Sequence, residues 1–209
     1  MFTEVLPMDH PETMGIAMQE LRNGSVIAIP TDTVYGIACL LEKEEAIQEL
    51  YRIKERDTNK AIPLLIGEYE QIICATDGIS ESAQKLAQHF WPGPLTLIIP
   101  KRMELPEALT PYPTVGVRMP DHKWLRQLIR KVGIIAATSA NISGGENPVS
   151  AREVRKQLDG RIPLIVDGGT CEGGIPSTVV DCSQGEAKIL REGGISQRQI
   201  MDLLKVVKP

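Results

Sequence analysis

Aromatic side chains are scarce here: two Phe, two Trp and four Tyr, 4% of 209 residues. Binders of single-stranded nucleic acid stack bases on aromatic platforms, so no such surface is expected. Blocks of like charge are also missing, and the net charge is −4. That argues against broad, non-specific capture of nucleic acid and leaves room for a local cationic pocket. No apolar run approaches the ~20 residues that cross a bilayer, so no membrane association is expected. The first residues, MFTEVLPMDHPE, have no basic stretch leading into an apolar one, so no secretion signal is expected. His10, His89 and His122 form no pair at metal-ligand spacing, and H-E-x-x-H is absent. Cys39, Cys74, Cys171 and Cys182 lie far apart without C-x-x-C spacing. They are expected to be packed, reduced thiols in a cytoplasmic protein. Neither G-x-x-x-x-G-K-[ST] nor G-x-G-x-x-G occurs, so any nucleotide is bound by another design.

What the chain does have is short apolar runs alternating with helical patterns. Apolar residues at helical spacing predict helices over 11–23, 44–54, 80–90, 123–131, 150–158 and 196–206, with Ser150 as an N-cap. Apolar runs predict strands over 26–29, 62–66, 95–99, 115–118, 133–137, 163–166, 178–180 and 187–190. About seven strands interleaved with about six helices point to an α/β layered fold. The link between 178–180 and 187–190 is too short for a crossover helix, so these two should pair antiparallel in a mixed sheet. With no repeat, low-complexity stretch or linker, residues 1–209 are expected to form a single domain.

Polar residues gather where strands end. The first strand runs into Thr31-Asp32-Thr33, and another ends at Arg118. GIIAATSANISGGENP carries a strand into Thr138-Ser139-Ala140-Asn141 and two glycines. VDGGTCEGGIPSTVVD is glycine-rich before Ser177, and KILREGG ends a strand at Arg191. Any one such loop suits a turn or a helix cap. Their recurrence suits a ligand site, because layered α/β folds bind ligands beyond strand ends and glycine-rich loops aim backbone N–H groups at anions. Asp32 is expected to shape its turn. Either Asp32 or Asp181 has the chemistry to hold a metal.

YRIKERDTNKAIPLL supplies cations. Lys54 and Arg56, two residues apart, would point to nearly opposite sides of a helix. They converge only if the helix ends near Lys54 and KERDTNK becomes a loop, which Asp57, Thr58 and Asn59 favour. The competing role is a solvated helix end, where cations suit the dipole.

Taken in order, PTDTVYGIAC, YRIKER, WPGPLTLII, VGVRMPDH, TSANISGG, STVVD and ILREGG resemble the YrdC-like family of threonylcarbamoyl-adenylate synthases, over residues 10–205. The resemblance implies a YrdC-like α/β fold, a twisted mixed sheet flanked by helices around a concave cationic cleft. It implies synthesis of threonylcarbamoyl-AMP and pyrophosphate from L-threonine, bicarbonate and ATP, with Mg²⁺. A partner complex would then modify the adenosine next to the tRNA anticodon, with direct RNA contact a further expectation. Carried over residue by residue, the pattern puts Thr33, Arg118, Ala137 and Ser177 around threonine. It puts Arg56, Lys60, Thr114, Ser139, Asn141 and Arg191 around the nucleotide, with Lys54 beside them and Lys54 and Arg56 as the catalytic cations. Pro148 and Ser150 follow after extra residues.

Two features depart from the pattern. Many members have a proline after K-x-R and then a threonine-holding histidine. Here Asp57 follows Arg56, and PLLIGE has no histidine. This KERD form resembles the YciO branch, which implies the alternative of a nucleotide- or double-stranded-RNA-binding protein with weak or no synthase activity. The chain also ends at Pro209, so the C-terminal domain of the longer synthases is not expected. The implied chemistry needs no protein nucleophile, and none is arranged in the sequence. It needs positioning and positive charge. Truncating Lys54 or Arg56 is then expected to cost roughly 2–4 kcal/mol of transition-state stabilisation with little change in fold stability.

Overall fold

A computed structural model describes residues 2–205. Ten strands form one sheet. They are β1 (Glu4–Pro7), β2 (Ile27–Ile29), β3 (Gly36–Leu40), β4 (Leu64–Leu65), β5 (Leu95–Pro100), β6 (Thr114–Arg118), β7 (Ile135–Ser139), β8 (Leu164–Asp167), β9 (Thr178–Asp181) and β10 (Lys188–Arg191). The helices are α1 (Thr13–Arg22), α2 (Glu44–Lys54), α3 (Glu81–Phe90), α4 (Lys123–Val132), α5 (Ala151–Leu158) and α6 (Gln197–Lys205). The spatial order is β1-β8-β2-β3-β7-β4-β6-β5-β9-β10. Four neighbouring pairs are parallel (β1 with β8, β8 with β2, β4 with β6, β5 with β9) and the other five are antiparallel, so the sheet is mixed. β9 and β10 pair antiparallel, with Lys188 opposite Asp181.

The strand count exceeds the expected total of about seven, since β1 and β3 add to the eight apolar runs, and the physical reasons are local. β1 is four residues long and has no fully buried position, so it carries no apolar signature. β3 follows its turn so closely that its apolar residues read as an exit from the turn; all five are buried. Between Ile62 and Ile66 only Leu64–Leu65 pairs as strand. The expected strand over 133–137 is shifted to 135–139, which makes Thr138 and Ser139 strand residues. The six helices match within a few residues; Val206, expected to close the last one, lies outside the described residues.

Both sheet faces carry core, which is why the central strands read as continuous apolar runs rather than alternating ones. Ile27, Ile29, Ala38, Leu40, Ile135 and Ala137 face α1 and α4. Ala28, Ile37, Cys39 and Ala136 face the other way, into a larger cluster with α2, α3 and α5. The two helical layers are unequal. On the α1–α4 face, cover reaches β2, β3 and β7. Farther along that face, Thr96 and Ile98 of β5 and Gly116 and Arg118 of β6 line open space instead. Successive strand residues alternate faces, and Leu97 and Val117 between them are buried in the larger core. The cleft is therefore the bare half of one sheet face. No helix among the described residues is long and apolar enough to cross a membrane.

Candidate active site

The cleft has a volume of about 330 Å³ and takes side chains from β4, β5, β6, β7, β9 and β10, with the backbone of Gly36 at the start of β3. At its base, the turn after β2 is organised by Thr31. The Thr31 hydroxyl accepts hydrogen bonds from the backbone N–H of Thr33 (3.0 Å) and Val34 (3.3 Å), and donates to the Val34 carbonyl at 2.7 Å. This corrects the role expected of Asp32. The Asp32 carboxylate leaves the turn and pairs with the Arg118 guanidinium at 2.6 Å, the two side chains 13% and 8% exposed. Arg118 also donates to the Thr33 hydroxyl at 2.9 Å and to the Gly93 carbonyl at 3.1 Å. It is Asp181 that closes an Asx turn, accepting from the backbone N–H and the hydroxyl of Ser183.

A glycine-rich loop, residues 168–176, lies over this turn. Tyr35 ties it down, accepting from the Gly168 N–H at 3.0 Å and donating to the Gly169 carbonyl at 2.8 Å. Burial pushes the Tyr35 hydroxyl well above the usual phenol range, so it stays protonated. Contact is close enough that a Cβ on Gly173 would come within 2.5 Å of the Asp32 carbonyl oxygen. The loop delivers Pro176 and Ser177 to the cleft. Ser177 shares a 2.8 Å hydrogen bond with the Thr96 hydroxyl, and its carbonyl accepts from Arg191 at 2.8 Å.

α2 ends at Lys54, as convergence of the cations requires. Glu55 takes a left-handed conformation (φ 53°) and reverses the chain. Arg56 then reaches the cleft, its guanidinium held by the carbonyls of Lys60 (3.2 Å) and Ala61 (3.0 Å). Lys54 does not follow it. Its side chain runs under the Ser139–Asn141 turn, 1% exposed, and lines no part of the cleft. The expectation of two side-by-side catalytic cations is corrected accordingly: one is presented, and the other is enclosed by the turn it touches.

Of the residues expected at the site, the cleft is lined by Thr33, Arg56, Arg118, Ala137, Ser139, Ser177 and Arg191. Lys60 is exposed and outside the lining; only its carbonyl takes part, through Arg56. Thr114 is not a lining residue, although strand alternation puts it on the face of Gly116 and Arg118. Asn141 is buried behind Ser139, whose hydroxyl donates to its side-chain carbonyl. Ser150 caps α5, accepting from the Glu153 N–H. Pro148 stays behind the cleft, its carbonyl accepting from the Tyr35 N–H at 2.8 Å. Lining residues that the sequence pattern missed include Thr31, Thr96, Gly116 and Asn147. Thr96 had a readable signal, a lone hydroxyl inside the apolar run LTLII.

Three guanidiniums thus converge: Arg56, Arg118 and Arg191. Burial, and then the charge of Arg118, push Arg191 below its ordinary value; burial does the same to Arg56. Such a cluster favours an anion. No histidine lines the cleft. The donor set does not fit a resident Mg²⁺: among the described residues no three His, Cys, Asp or Glu side chains gather. Asp32 is committed to Arg118, and Asp181 to its own turn.

A family model described as telomere recombination, Sua5/YciO/YrdC, matches residues 19–193. The chain belongs to the Sua5/YciO/YrdC family. Within that family it is 40% identical over 204 residues to a threonylcarbamoyl-AMP synthase of Bacillus subtilis (strain 168), covering 95% of this chain and 58% of that protein. Pyrococcus abyssi Sua5, solved in complex with L-threonine, aligns with a TM-score of 0.92 and 36% identity, over 98% of this chain and 61% of that one. Escherichia coli YciO aligns with a TM-score of 0.85 and 25% identity, over 96% of this chain and 100% of that one. The chain therefore spans about three fifths of the B. subtilis relative's length and all of YciO's. The alternating layers expected of a Sua5/YciO/YrdC chain are those found, a mixed sheet flanked by helices.

Proposed function

We propose that this chain makes threonylcarbamoyl-AMP and pyrophosphate from L-threonine, bicarbonate and ATP. The observation that carries this is the convergence of Arg56, Arg118 and Arg191 on a cleft lined with hydroxyls. Supporting it is the likeness to a Sua5 that binds L-threonine. Arg118 grips the substrate carboxylate, using the N–H groups it does not give to Asp32, Thr33 and Gly93. Thr33 and Ser177 address the amino acid, and Ala137 has no side chain beyond Cβ to obstruct it. The threonine amine adds to CO₂ derived from bicarbonate, forming a C–N bond and releasing a proton to solvent. The carbamate oxygen then attacks the α-phosphorus, and the bond to the β-phosphate breaks to release pyrophosphate. Arg56 and Arg191 lie where phosphate charge shifts during that step, with Ser139 beside them. Lys60, Thr114 and Asn141 complete the nucleotide environment from outside the lining. Mg²⁺ enters with ATP as part of that substrate. A separate complex passes the threonylcarbamoyl group to the adenosine beside the tRNA anticodon. Use of ATP, and delivery of the product to a tRNA-modifying complex, suit a cytoplasmic setting.

The second reading is a YciO-type protein that binds nucleotide or RNA and makes the adenylate poorly. The cleft without histidine favours it. One assay separates the two. Purified protein is given ATP, Mg²⁺, bicarbonate and single amino acids, and pyrophosphate is measured. Threonine-selective release is the expected result. Release without amino-acid preference, or none, overturns the synthase in favour of the YciO-type protein.

A further inference from the structure

Lys54 is a buried cation with no carboxylate partner among the described residues. Its ammonium donates to the backbone carbonyls of Ser139 and Asn141 and, at 3.3 Å, to Oδ1 of Asn141. Three N–H bonds meet three oxygen acceptors. Its own carbonyl accepts from the Ser143 N–H at 2.8 Å. Main chain and side chain of one residue therefore hold both ends of the turn that follows β7. Burying an ammonium is costly unless every donor is satisfied, and this turn satisfies all of them. No N–H is left over for a phosphate.

The same contacts reach the cleft. Oδ1 of Asn141 accepts from Lys54 and from the Ser139 hydroxyl. Nδ2 of Asn141 donates to the carbonyls of Ile142 (2.8 Å) and Gly145 (2.9 Å), which fixes the amide's orientation. The Ser139 hydroxyl, a lining group, is thus aimed by Asn141, and Asn141 is aimed by Lys54. We propose that Lys54 is a positioning residue. It sets the Ser139–Asn141 turn against the cleft and does not touch the phosphates. The functional half of this inference rests on the adenylate-forming activity proposed above; the placement half does not.

Methionine keeps the length of Lys54 and removes the ammonium. In Lys54→Met, kcat for pyrophosphate release should fall about 100-fold, the scale of a misplaced reacting geometry. KM for ATP should stay within about threefold, and amides 139–145 should lose hydrogen-exchange protection. Lys54→Arg should not rescue, since a planar fork cannot meet three converging oxygens. A tenfold or greater rise in KM for ATP with unchanged exchange at 139–145 would overturn the inference. Wild-type protein gives a test that needs no variant. In an NMR titration with inorganic triphosphate, the side-chain nitrogens of Arg56 and Arg191 should shift and Nζ of Lys54 should not. A Nζ shift as large as theirs would show a direct phosphate contact and refute the proposal. If wild-type protein releases no threonine-dependent pyrophosphate, the synthase reading fails, while exchange and NMR still decide where the ammonium acts.

Discussion

Arg118 makes three hydrogen bonds before any ligand arrives, to Asp32, Thr33 and Gly93. A guanidinium has five N–H bonds, so one on each terminal nitrogen remains for a carboxylate. Lysine has no such fork. Arg118→Lys should therefore cost about 2 kcal/mol in kcat/KM for threonine, and an unchanged value would remove Arg118 from the carboxylate site. Asp32→Ala leaves the buried guanidinium without its counter-charge. Urea unfolding should show a loss of about 3 kcal/mol. Lys54 carries a pH signature. Burial, followed by the charge of Arg56, pushes its ammonium down to about 7 from an ordinary value near 10.5. The turn facing it adds only neutral carbonyl and amide groups. Between these two values the unfolded chain binds more protons than the folded one, so this contribution to stability grows as pH rises and is lost as pH falls through 7. Wild-type protein should gain on Lys54→Met in urea midpoints between pH 7 and 10. A constant difference would mean that Lys54 does not titrate in that window. Truncating Lys54, expected from the sequence to spare the fold, should disturb it as well, because the side chain is buried and bonded to the Ser139–Asn141 turn.

At the scale of elements, the site is two loops pressed together. The turn after β2 is self-sufficient through Thr31, and the 168–176 loop is held to it by Tyr35 and by backbone contact at Gly173. Tyr35→Phe removes a donor and an acceptor without altering ring packing. It should cost about 1–2 kcal/mol of stability, with faster hydrogen exchange at Gly168, Gly169 and beyond. Unchanged exchange there would show that the loop does not depend on the hydroxyl. Helix limits were largely legible because α2, α3 and α5 each bury one stripe of apolar residues at helical spacing, such as Ala83, Leu86 and Ala87 in α3 and Ala151, Val154 and Leu158 in α5. β1 was not legible, since its pairing with β8 brings together residues 4–7 and 164–167, and no local pattern reports a partner so distant.

For the whole molecule, the decisive feature is asymmetric cover. Helices α1 and α4 protect one half of a sheet face and leave the other half as the cleft. Ligands that fill it should stabilise the fold through mass action, by about 2.7 kcal/mol at a hundredfold excess over Kd. Saturating ATP with L-threonine should therefore raise the thermal midpoint. Added salt should shrink that gain, since charge drives part of it. A midpoint indifferent to both ligands would mean that the cleft is not their site.

Sequence alone determined the layered α/β class and the helices, because periodicity is a local property of the chain, and the resemblance of its short motifs to a known family named seven of the lining residues. It also placed the end of α2 near Lys54, from loop-forming residues just beyond. Tertiary structure alone decided which cation is presented and which is enclosed. Arg56 and Lys54 are chemically alike and two residues apart, and only the Ser139–Asn141 turn, more than eighty residues away, takes up the lysine. It likewise gave the turn after β2 to Thr31 and Asp32 to Arg118. A carboxylate serves its own backbone unless a guanidinium is brought to it, and here β6 brings one.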